Sequence, residues 1–445
     1  MDFSNIHIKR LSPIFMIVLA AFSIRLIVVL LLSPPLLSDE IDYYHLGQSI
    51  VNENSFSLDG IPTASRAPGY PIIIASIISL FGNSIGAMRV FQALVDSVTC
   101  FLVFTICRNS FSLKTAYLAT IVYALFPGSM FYILFLMTET IFTAVLMIAI
   151  FLASSRRLQD STILRLLLGA VLGILTLIKP NAAILFLIFL AWEWFRSRSV
   201  ISTLRKYLLV FIGFVLLFSP WIIRNKIQFD RLSLTSNGGV NFWIGHNEQA
   251  TGSFRYVEKN NPLENVKGEF ERSQFALREG LSYLATHPLQ EIKLICLKSI
   301  HFFEPDFGLM QSLFYREEWK TYSRALHIYR EFPPLIFVGF HFLTAGIVLL
   351  ALWSFIFTND STLRNITLIK MVIIGWICFH LIFFTVARYR IPMMPAMIIL
   401  AAYSIESWNT KSYTITTLRK YFFIITSVLL ISSWIYIFGI IYVRP

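Results

Sequence analysis

Long runs of apolar residues, separated by short polar turns, dominate this chain. An α-helix needs about 20 such residues to cross the hydrocarbon core of a bilayer. Runs near that length lie at 14–32, 86–107, 115–136, 138–154, 163–178, 181–195, 207–223, 334–357, 365–386, 391–407 and 420–441. The pattern therefore predicts an all-α polytopic membrane protein with about 11 (11–13) transmembrane helices.

The apolar segment 70–81 is an exception, because a helix of that length spans only about 18 Å. We predict a re-entrant or juxtamembrane helix there. If it does not cross, the basic clusters beside the runs all fall on one side of the membrane, the cytoplasmic side. These residues are Lys9, Arg10, Arg108, Lys114, Arg156, Arg157, Arg165, Arg196, Arg198, Arg205, Lys206, Arg364, Lys411, Arg419 and Lys420.

This orientation divides the chain into three parts. Residues 1–223 form an N-terminal transmembrane catalytic module, with a first outer loop at 33–85. Residues 224–332 form an outer-face loop region, in which 290–332 predicts amphipathic helices on the membrane surface and 291–303 is kept outside the membrane. Residues 333–445 supply the C-terminal transmembrane helices. The expected location is the inner membrane, with the N-terminus in the cytoplasm.

Composition narrows the class of protein further. The net charge is +12, but only 14% of residues are charged and the mean hydropathy is +0.68. Because the basic residues flank apolar runs, they orient helices, and nucleic acid is not an expected partner. The four cysteines form no CxxC motif, so neither a disulfide nor structural zinc is predicted.

Acidic residues of the outer loops are the first candidates for chemistry. Asp39, Glu40 and Asp42 follow Pro34-Pro35, and Glu139 lies in a short turn between two apolar runs. One interpretation of Asp39 is helix capping, with Asp42 three residues later. The other is a carboxylate held at the membrane surface as a general base or metal ligand. Glu139 is either simply solvated or the second carboxylate of that site.

Basic residues in the same loops are candidates for binding a phosphate. Arg66 precedes the short helix, Lys179 precedes Pro180, and Arg388 and Arg390 flank a tyrosine before 391–407. Arginine binds phosphate through planar, bidentate donors. The alternative is that these residues anchor the helices in the headgroup region, as does Tyr70.

Two charges, Arg25 and Asp96, lie inside predicted membrane helices. Ions in the bilayer are costly and normally have a partner in the bundle. We predict a structural Arg25–Asp96 pair, in preference to a proton relay.

A loop rich in glycine and asparagine follows the helix that ends near Arg224 and Asn225. It contains Asn237, Asn241 and His246. Such a loop permits close backbone approach and many hydrogen bonds, as sugar recognition requires, although a turn-rich connection has the same composition. His246 alone is weak evidence for a metal.

These motifs together resemble the GT-C class of integral membrane glycosyltransferases. The resemblance covers about residues 10–405 and rests on the order of the first-loop acids, Arg-x-Pro-Gly-Tyr-Pro, Arg89, Thr138-Glu139, Lys179-Pro180, Pro-Trp-x-x-Arg-Asn at 220–225, the Asn-Gly-Gly loop and Arg-Tyr-Arg-x-Pro-x-x-Pro at 388–395. The chain is most similar to dolichyl-phosphate-mannose protein mannosyltransferases and the lipid A aminoarabinose transferase.

The resemblance implies a polyprenyl-phosphate sugar as donor and a lipid, glycan or protein as acceptor. It makes Asp39, with Glu40 beside it, the catalytic acid of the first loop and Glu139 the second acid. Arg66, Arg388, Arg390 and Lys179 would bind the donor phosphate, and Tyr43, Tyr70, Arg224, Asn225, Asn237 and Asn241 the sugar or acceptor. A divalent metal ion on Asp39 and Glu139 is left open.

Two departures bear on the substrate. This chain has Arg66-Ala67-Pro68-Gly69 where the aminoarabinose transferases have a lysine before Pro-Pro, and we expect no large luminal domain. The sugar therefore stays open, and a lipid or glycan acceptor is favoured over an unfolded protein. The rival functions are a flippase or transporter of lipid-linked sugars, which would need polar groups near the bilayer midplane, and an O-antigen polymerase or ligase.

Overall fold

The computed structural model describes residues 4–155, 161–255, 261–305, 309, 313, 334–358, 364–408 and 415–443. Arg156, Arg157, Lys411 and most of the predicted surface segment after 305 lie outside these ranges. Within them the structure is almost entirely helical, which confirms the predicted fold class. The division into three parts is not tested and stays a prediction.

The N-terminal half runs from α1 to α9. Its helices are α1 (Ser4–Leu31), α2 (Asp39–Glu53), α3 (Gly69–Phe81), α4 (Ile85–Ser110), α5 (Leu113–Ala124), α6 (Pro127–Tyr132), α7 (Glu139–Ser154), α8 (Thr162–Ile178) and α9 (Ala183–Ser197). A two-residue antiparallel pair, β1 (Ser57–Leu58) and β2 (Ile61–Pro62), lies between α2 and α3. A 3₁₀ turn, Pro180–Ala182, joins α8 to α9.

The second half contains α10 (Val200–Phe229), α11 (Gly238–Ile244), α12 (Glu269–Thr286), α13 (Pro288–Phe303), α14 (Pro334–Phe357), α15 (Arg364–Leu381), α16 (Met394–Ser407) and α17 (Thr417–Val443). A 3₁₀ segment, Ala387–Met393, precedes α16. It carries Arg388 and Arg390, which the sequence placed at the start of an apolar helix.

Five helical stretches in the described ranges are long and apolar enough to cross a membrane: Pro13–Leu31, Ile85–Ser110, Val200–Phe229, Gly339–Phe357 and Thr417–Ile437. Shorter apolar helices lie at Gly69–Phe81, Glu139–Ser154, Thr162–Ile178 and Asn365–Leu381. Helix α3 has 13 residues and a length of about 20 Å, as its sequence predicted. The exact number of crossings and their orientation remain predictions.

The predicted run 115–136 is two helices rather than one. Pro127 has no N–H to donate, and it disfavours helical dihedrals at the residue before it. Phe126 accordingly has an extended conformation, with φ −71° and ψ 114°. The break leaves 133–138 as an irregular segment that leads to Glu139 at the start of α7.

Helices α8 and α10 cross closely enough that two glycines are required. A Cβ atom on Gly169 would lie 2.0 Å from the carbonyl oxygen of Val210, and one on Gly213 would lie 2.1 Å from that of Leu166. Small residues of this kind let helix backbones approach each other in membranes. This packing holds the middle of α8 directly against α10.

The predicted pair of intramembrane charges is confirmed. Arg25 Nε lies 2.5 Å from Asp96 Oδ2, and both side chains are buried. Tyr123 donates a hydrogen bond to Asp96 Oδ1 at 2.6 Å, and Arg25 donates to the carbonyl of Ala124 at 2.9 Å. The pair therefore joins α1, α4 and α5 in the interior.

Candidate functional site

Asp39 contacts two arginines that come from distant parts of the chain. Its Oδ1 lies 2.6 Å from an Nη of Arg66, and its Oδ2 lies 3.0 Å from an Nη of Arg388. The residue before it, Ser38, has φ 51° and makes no side-chain capping bond. The Asp39 carboxylate thus pairs with cations in the structure, and Ser38 rather than Asp39 is the N-cap of α2, against the helix-capping interpretation of Asp39.

Arg66 is held by a second acid of the same helix. Its guanidinium donates to Asp42 Oδ2 at 2.8 Å and also lies 5.6 Å from the ring centre of Tyr43. Positions 39, 42 and 43 lie on one face of α2, three to four residues apart, which explains why they meet the same side chain.

The second predicted acid, Glu139, lies in the same region and pairs with Lys179. The Lys179 ammonium donates to Glu139 Oε1 at 2.8 Å, and the Glu139 side chain is 1% exposed. The local sequence explains both positions. Glu139 is the first residue of α7, and Lys179 caps the end of α8 just before Pro180. The structure therefore brings together Asp39, Arg66, Glu139, Lys179 and Arg388.

Two cavities adjoin at Asp39 and its two arginines, Arg66 and Arg388. The smaller one, about 330 Å³, is lined by Asp39, Arg66, Glu139, Lys179, Asn181 and Arg388, among others. The larger one, about 700 Å³, shares Asp39, Arg66 and Arg388 and is otherwise more apolar, with Leu37, Phe135 and Ile244 in its wall. Reactants in the two cavities would meet at Asp39.

Neighbouring charges determine the ionisation of Asp39. Burial alone would raise its pKa, but the guanidinium groups of Arg388 and Arg66 outweigh that effect and hold the pKa below the ordinary value. The carboxylate is therefore ionised at neutral pH. In this state it pairs with the two guanidinium groups, and it becomes a stronger base only if the arginines are drawn away.

Glu40, the neighbour of Asp39, faces the backbone. Its two carboxylate oxygens accept hydrogen bonds from the N–H of Leu136 at 2.7 Å and of Leu37 at 3.1 Å. Burial raises the pKa of Glu40 to about 7, although these bonds and Arg89 oppose the shift. Glu40 lines only the larger cavity, so its position favours a role in holding the two acidic loops together.

Helix α4 holds the same irregular segment through two side chains. Arg89 donates to the carbonyls of Leu134 at 2.7 Å and Pro34 at 2.5 Å. Gln92 donates to the carbonyls of Ile133 at 3.0 Å and Phe135 at 2.8 Å. These bonds satisfy backbone groups that no helix satisfies and so fix the approach to Glu139.

Several predicted site residues have other partners. Arg390 is buried and donates to the carbonyls of Phe302 and Glu304, at 2.8 and 3.0 Å, and lines neither cavity. Tyr70 is buried against Gln92, to which its hydroxyl donates at 3.1 Å. The structure does not bring these two side chains to the site.

Arg224 and Asn225 also hold backbone in place. Arg224 donates to the carbonyls of Thr63 and Phe56, at 2.8 and 3.1 Å. Asn225 donates to the carbonyl of Ser233 at 2.8 Å. They connect the end of α10 to the first outer loop, and neither lines the two cavities.

Three predicted sugar or acceptor residues do line a cavity. Tyr43 lines the smaller one, and Asn237 and Asn241 line both. Asn237 also donates to the carbonyl of Ser65 at 2.7 Å, which ties the Asn-Gly-Gly loop to the segment that carries Arg66.

Sequence reasoning missed Asn181, His380 and Tyr389 as cavity residues. Asn181 Nδ2 lies 2.9 Å from His380 Nε2, and His380 is buried. The signal that could have found them is a polar residue in or beside an apolar run: Asn181 directly after Lys179-Pro180, and His380 within 365–386. Tyr389 appeared only as the residue between two arginines.

Asp39 and Glu139, for which a metal ion was left open, both contact other charges. Both oxygens of Asp39 contact guanidinium groups, and Glu139 contacts Lys179. His246 lies 2.9 Å from Glu291 and 3.3 Å from the Lys298 ammonium, so a cationic side chain already lies beside this histidine. Across the described ranges no group of three or more His, Cys, Asp or Glu is placed to hold a metal ion. These donors fit a metal ion poorly.

The helical bundle, with the short helix α3 and irregular segments between its helices, resembles the GT-C fold. A family model described as dolichyl-phosphate-mannose-protein mannosyltransferase matches residues 65–223, about a third of the chain. That match includes Arg66, Glu139 and Lys179. Among curated proteins, the comparison finds no matching sequence.

The particular fold is similar to that of ArnT from Cupriavidus metallidurans. The structure bound to undecaprenyl phosphate is 13% identical, with a TM-score of 0.55, and the match covers 90% of this chain and 62% of that one. The apo structure is 15% identical, with a TM-score of 0.55 and coverage of 91% and 62%. The chain thus spans less than two thirds of the length of these structures, and the likeness concerns the fold.

Proposed function

We propose that this protein is a membrane glycosyltransferase. It transfers a sugar from a polyprenyl-phosphate donor to an acceptor hydroxyl on the periplasmic, outer face of the inner membrane. The transfer inverts the anomeric centre, with Asp39 as the base. The acceptor is a lipid, a glycan or a protein, of which the first two are favoured.

One observation carries this proposal. Asp39 lies between Arg66 and Arg388 at the border that two cavities share. A carboxylate beside two guanidinium groups supplies a base and a phosphate-binding pair in one place, and the two cavities offer room for two reactants. The ArnT structure that contains undecaprenyl phosphate has the same fold, which supports a lipid phosphate as the ligand.

The reaction uses these groups in sequence. The donor phosphate attracts Arg66 and Arg388, since guanidinium binds phosphate in a bidentate manner. Asp39, freed from them, removes the proton of the acceptor hydroxyl. The acceptor oxygen forms a bond to the anomeric carbon, and the bond from that carbon to the phosphate oxygen breaks. The phosphate keeps the electron pair, and the two arginines stabilise its charge.

A flippase or transporter of lipid-linked sugars is the second candidate. It would use the same arginines to hold the phosphate, together with polar groups near the bilayer midplane. The deep charges Arg25 and Asp96 instead satisfy each other, and Asp39, Arg66, Glu139, Lys179 and Arg388 line a single cavity. This clustering away from the deep pair favours an enzyme that works from one side.

Purified protein reconstituted with labelled undecaprenyl-phosphate sugars separates the two functions. We expect sugar to be released to water or to an added acceptor, with formation of undecaprenyl phosphate. Movement of intact donor between leaflets without cleavage would instead establish a transporter.

A further inference from the structure

The segment 63–65, directly before Arg66, is irregular and lies between β2 and α3. Because no helix or sheet satisfies such a backbone, each of its N–H and C=O groups needs another partner. All six of these groups have one. Two of the bonds are local: the Thr63 N–H donates to the carbonyl of Phe56 at 3.2 Å, and the Ser65 N–H donates to the Thr63 hydroxyl at 3.0 Å.

The other four partners of this segment come from much later in the chain. Three of them donate to the carbonyls of residues 63, 64 and 65, and these are, in order, Arg224 at 2.8 Å, the N–H of Ser236 at 2.9 Å and Asn237 at 2.7 Å. The fourth partner is an acid, Glu269. The segment before Arg66 is therefore held by the region between the end of α10 and the start of α12.

Glu269 is the first residue of α12, and both of its carboxylate oxygens contact this segment. Oε2 accepts a hydrogen bond from the Thr63 hydroxyl at 2.8 Å, and Oε1 accepts one from the Ala64 N–H at 2.8 Å. Hydrogen bonds to an ionised acceptor are stronger than those between neutral groups. Since Thr63 and Ala64 are buried, loss of the carboxylate would leave a buried N–H without an acceptor.

The start of α12 is itself well supported, because α11 packs directly on it. The Gly239 N–H donates to Ser273 Oγ at 2.9 Å, and a Cβ atom at Gly239 would lie 1.9 Å from the carbonyl oxygen of Ser273. Glycine permits this close approach of two backbones. Glu269 therefore projects from a fixed base.

The chain on the other side of Arg66 is fixed as well. A Cβ atom at Gly69 would lie 2.8 Å from the carbonyl oxygen of Leu177, so the first turn of α3 packs directly against the end of α8. The backbone of Arg66 is thus held from both directions. A bidentate contact between guanidinium and phosphate requires such a defined position, because a small displacement of a binding group weakens the contact strongly.

We propose that Glu269 is a positioning residue for donor binding. By holding the segment 63–65, it places the Arg66 guanidinium where it meets the donor phosphate. This inference rests on the proposed function, which assigns the phosphate to Arg66 and Arg388. Glu269 lines neither cavity and acts only through Arg66.

Binding of labelled undecaprenyl phosphate to the full-length protein in lipid nanodiscs measures this role without knowledge of the acceptor. Glu269→Ala should weaken binding about tenfold, the effect of losing one buried hydrogen bond. Glu269→Gln should restore binding to within about threefold of the wild type, since its amide oxygen can accept from the Ala64 N–H while its NH₂ donates to the Thr63 hydroxyl. Glu271→Ala is the matched control, because Glu271 lies on the same helix, is exposed and pairs with Arg231.

A second background separates the positioning of Arg66 from a general loss of structure. In Arg66→Gln, where Arg388 still binds the phosphate, Glu269→Ala should weaken binding no further, because the side chain that it positions is gone. Thr63→Val approaches the same contact from its other side, since it removes the hydroxyl and keeps the side-chain volume. It should weaken binding while Arg66 is present and have no effect in Arg66→Gln.

The outcomes separate this inference from the proposed function. Failure of the wild-type protein to bind undecaprenyl phosphate would contradict both. Wild-type binding that Glu269→Ala leaves unchanged, or weakens equally with and without Arg66, would overturn the role of Glu269 and leave the transferase intact.

Discussion

Arg388 and Asp39 are 349 residues apart in the chain, and their side chains form an ion pair with an N–O distance of 3.0 Å. The pair closes the site by joining the 3₁₀ segment before α16 to the first turn of α2. Since Arg66 contacts the other oxygen of the same carboxylate, Asp39 links the segment before α3 to the 3₁₀ segment before α16.

Replacement of Asp39 by asparagine should remove the base and keep the side-chain volume. We expect turnover to fall about 10²–10⁴-fold, the usual contribution of a general base, with unchanged membrane insertion. Release of undecaprenyl phosphate from a labelled donor measures it. Asp59→Asn is the control, because Asp59 is exposed and its φ of 52° suits asparagine. Full activity of Asp39→Asn would refute the assignment of the base.

The pH dependence of the reaction rate should show the effect of the neighbouring arginines on the pKa of Asp39. In the free protein they hold the pKa of Asp39 below its ordinary value, so the acid limb of kcat/KM lies at low pH. A bound donor phosphate draws them away and adds negative charge, which raises the pKa. The acid limb of kcat, which reports the bound complex, should therefore lie at higher pH than that of kcat/KM.

Removal of one arginine extends this test. Arg388→Gln should move the acid limb of kcat/KM to higher pH and weaken donor binding, because a positive charge beside Asp39 is lost. Arg231→Gln is the control, since Arg231 pairs with Glu271 and lines neither cavity. A change in acceptor preference alone, with donor binding intact, would contradict the phosphate role.

The variant Glu40→Gln tests whether Glu40 positions the loops around the site and does not itself react. The amide has only one oxygen acceptor for the two backbone N–H groups of Leu37 and Leu136. We expect kcat to fall about tenfold, and an inflection of the wild-type rate near pH 7, where Glu40 ionises, to disappear. Glu264→Gln, at an exposed position, should change neither. A variant profile that keeps the inflection would assign it to another group.

The buried pair in the membrane domain should determine stability. Asp96→Leu or Arg25→Leu alone leaves an unpaired buried charge and should destabilise the protein by about 3–5 kcal/mol. The double variant should recover much of that loss. Thermal unfolding in detergent measures all three, and a double variant less stable than both single variants would show that the polar contacts of Tyr123 dominate.

The periodicity of apolar residues predicted the helical class, the short α3 and the Arg25–Asp96 pair, because each follows from length or from the cost of an isolated charge in lipid. The charged residues of the loops between the apolar runs, together with the resemblance to the GT-C class, indicated Asp39, Arg66, Glu139, Lys179 and Arg388, which the structure brings together. Whether they perform the predicted roles remains to be measured.

The sequence could not predict which hydrogen-bond partner each arginine side chain takes. Arg390 and Arg388 differ by two positions, yet Arg390 holds the end of α13 and Arg388 reaches Asp39. Arg224 likewise holds two backbone carbonyls. Such choices depend on which carbonyls the irregular loops expose, and that is a property of tertiary packing with no local pattern.

Arg89 and Gln92 hold the segment before Glu139 through hydrogen bonds to its backbone carbonyls. Every residue has such a carbonyl, whatever its side chain. The residues at 133–135 can therefore be replaced by others of similar volume without a change in the backbone conformation of the segment. Arg89 and Gln92 cannot be replaced in this way. Mutagenesis should find that buried positions 133–135 accept other apolar residues of similar volume, whereas Arg89 and Gln92 accept no replacement.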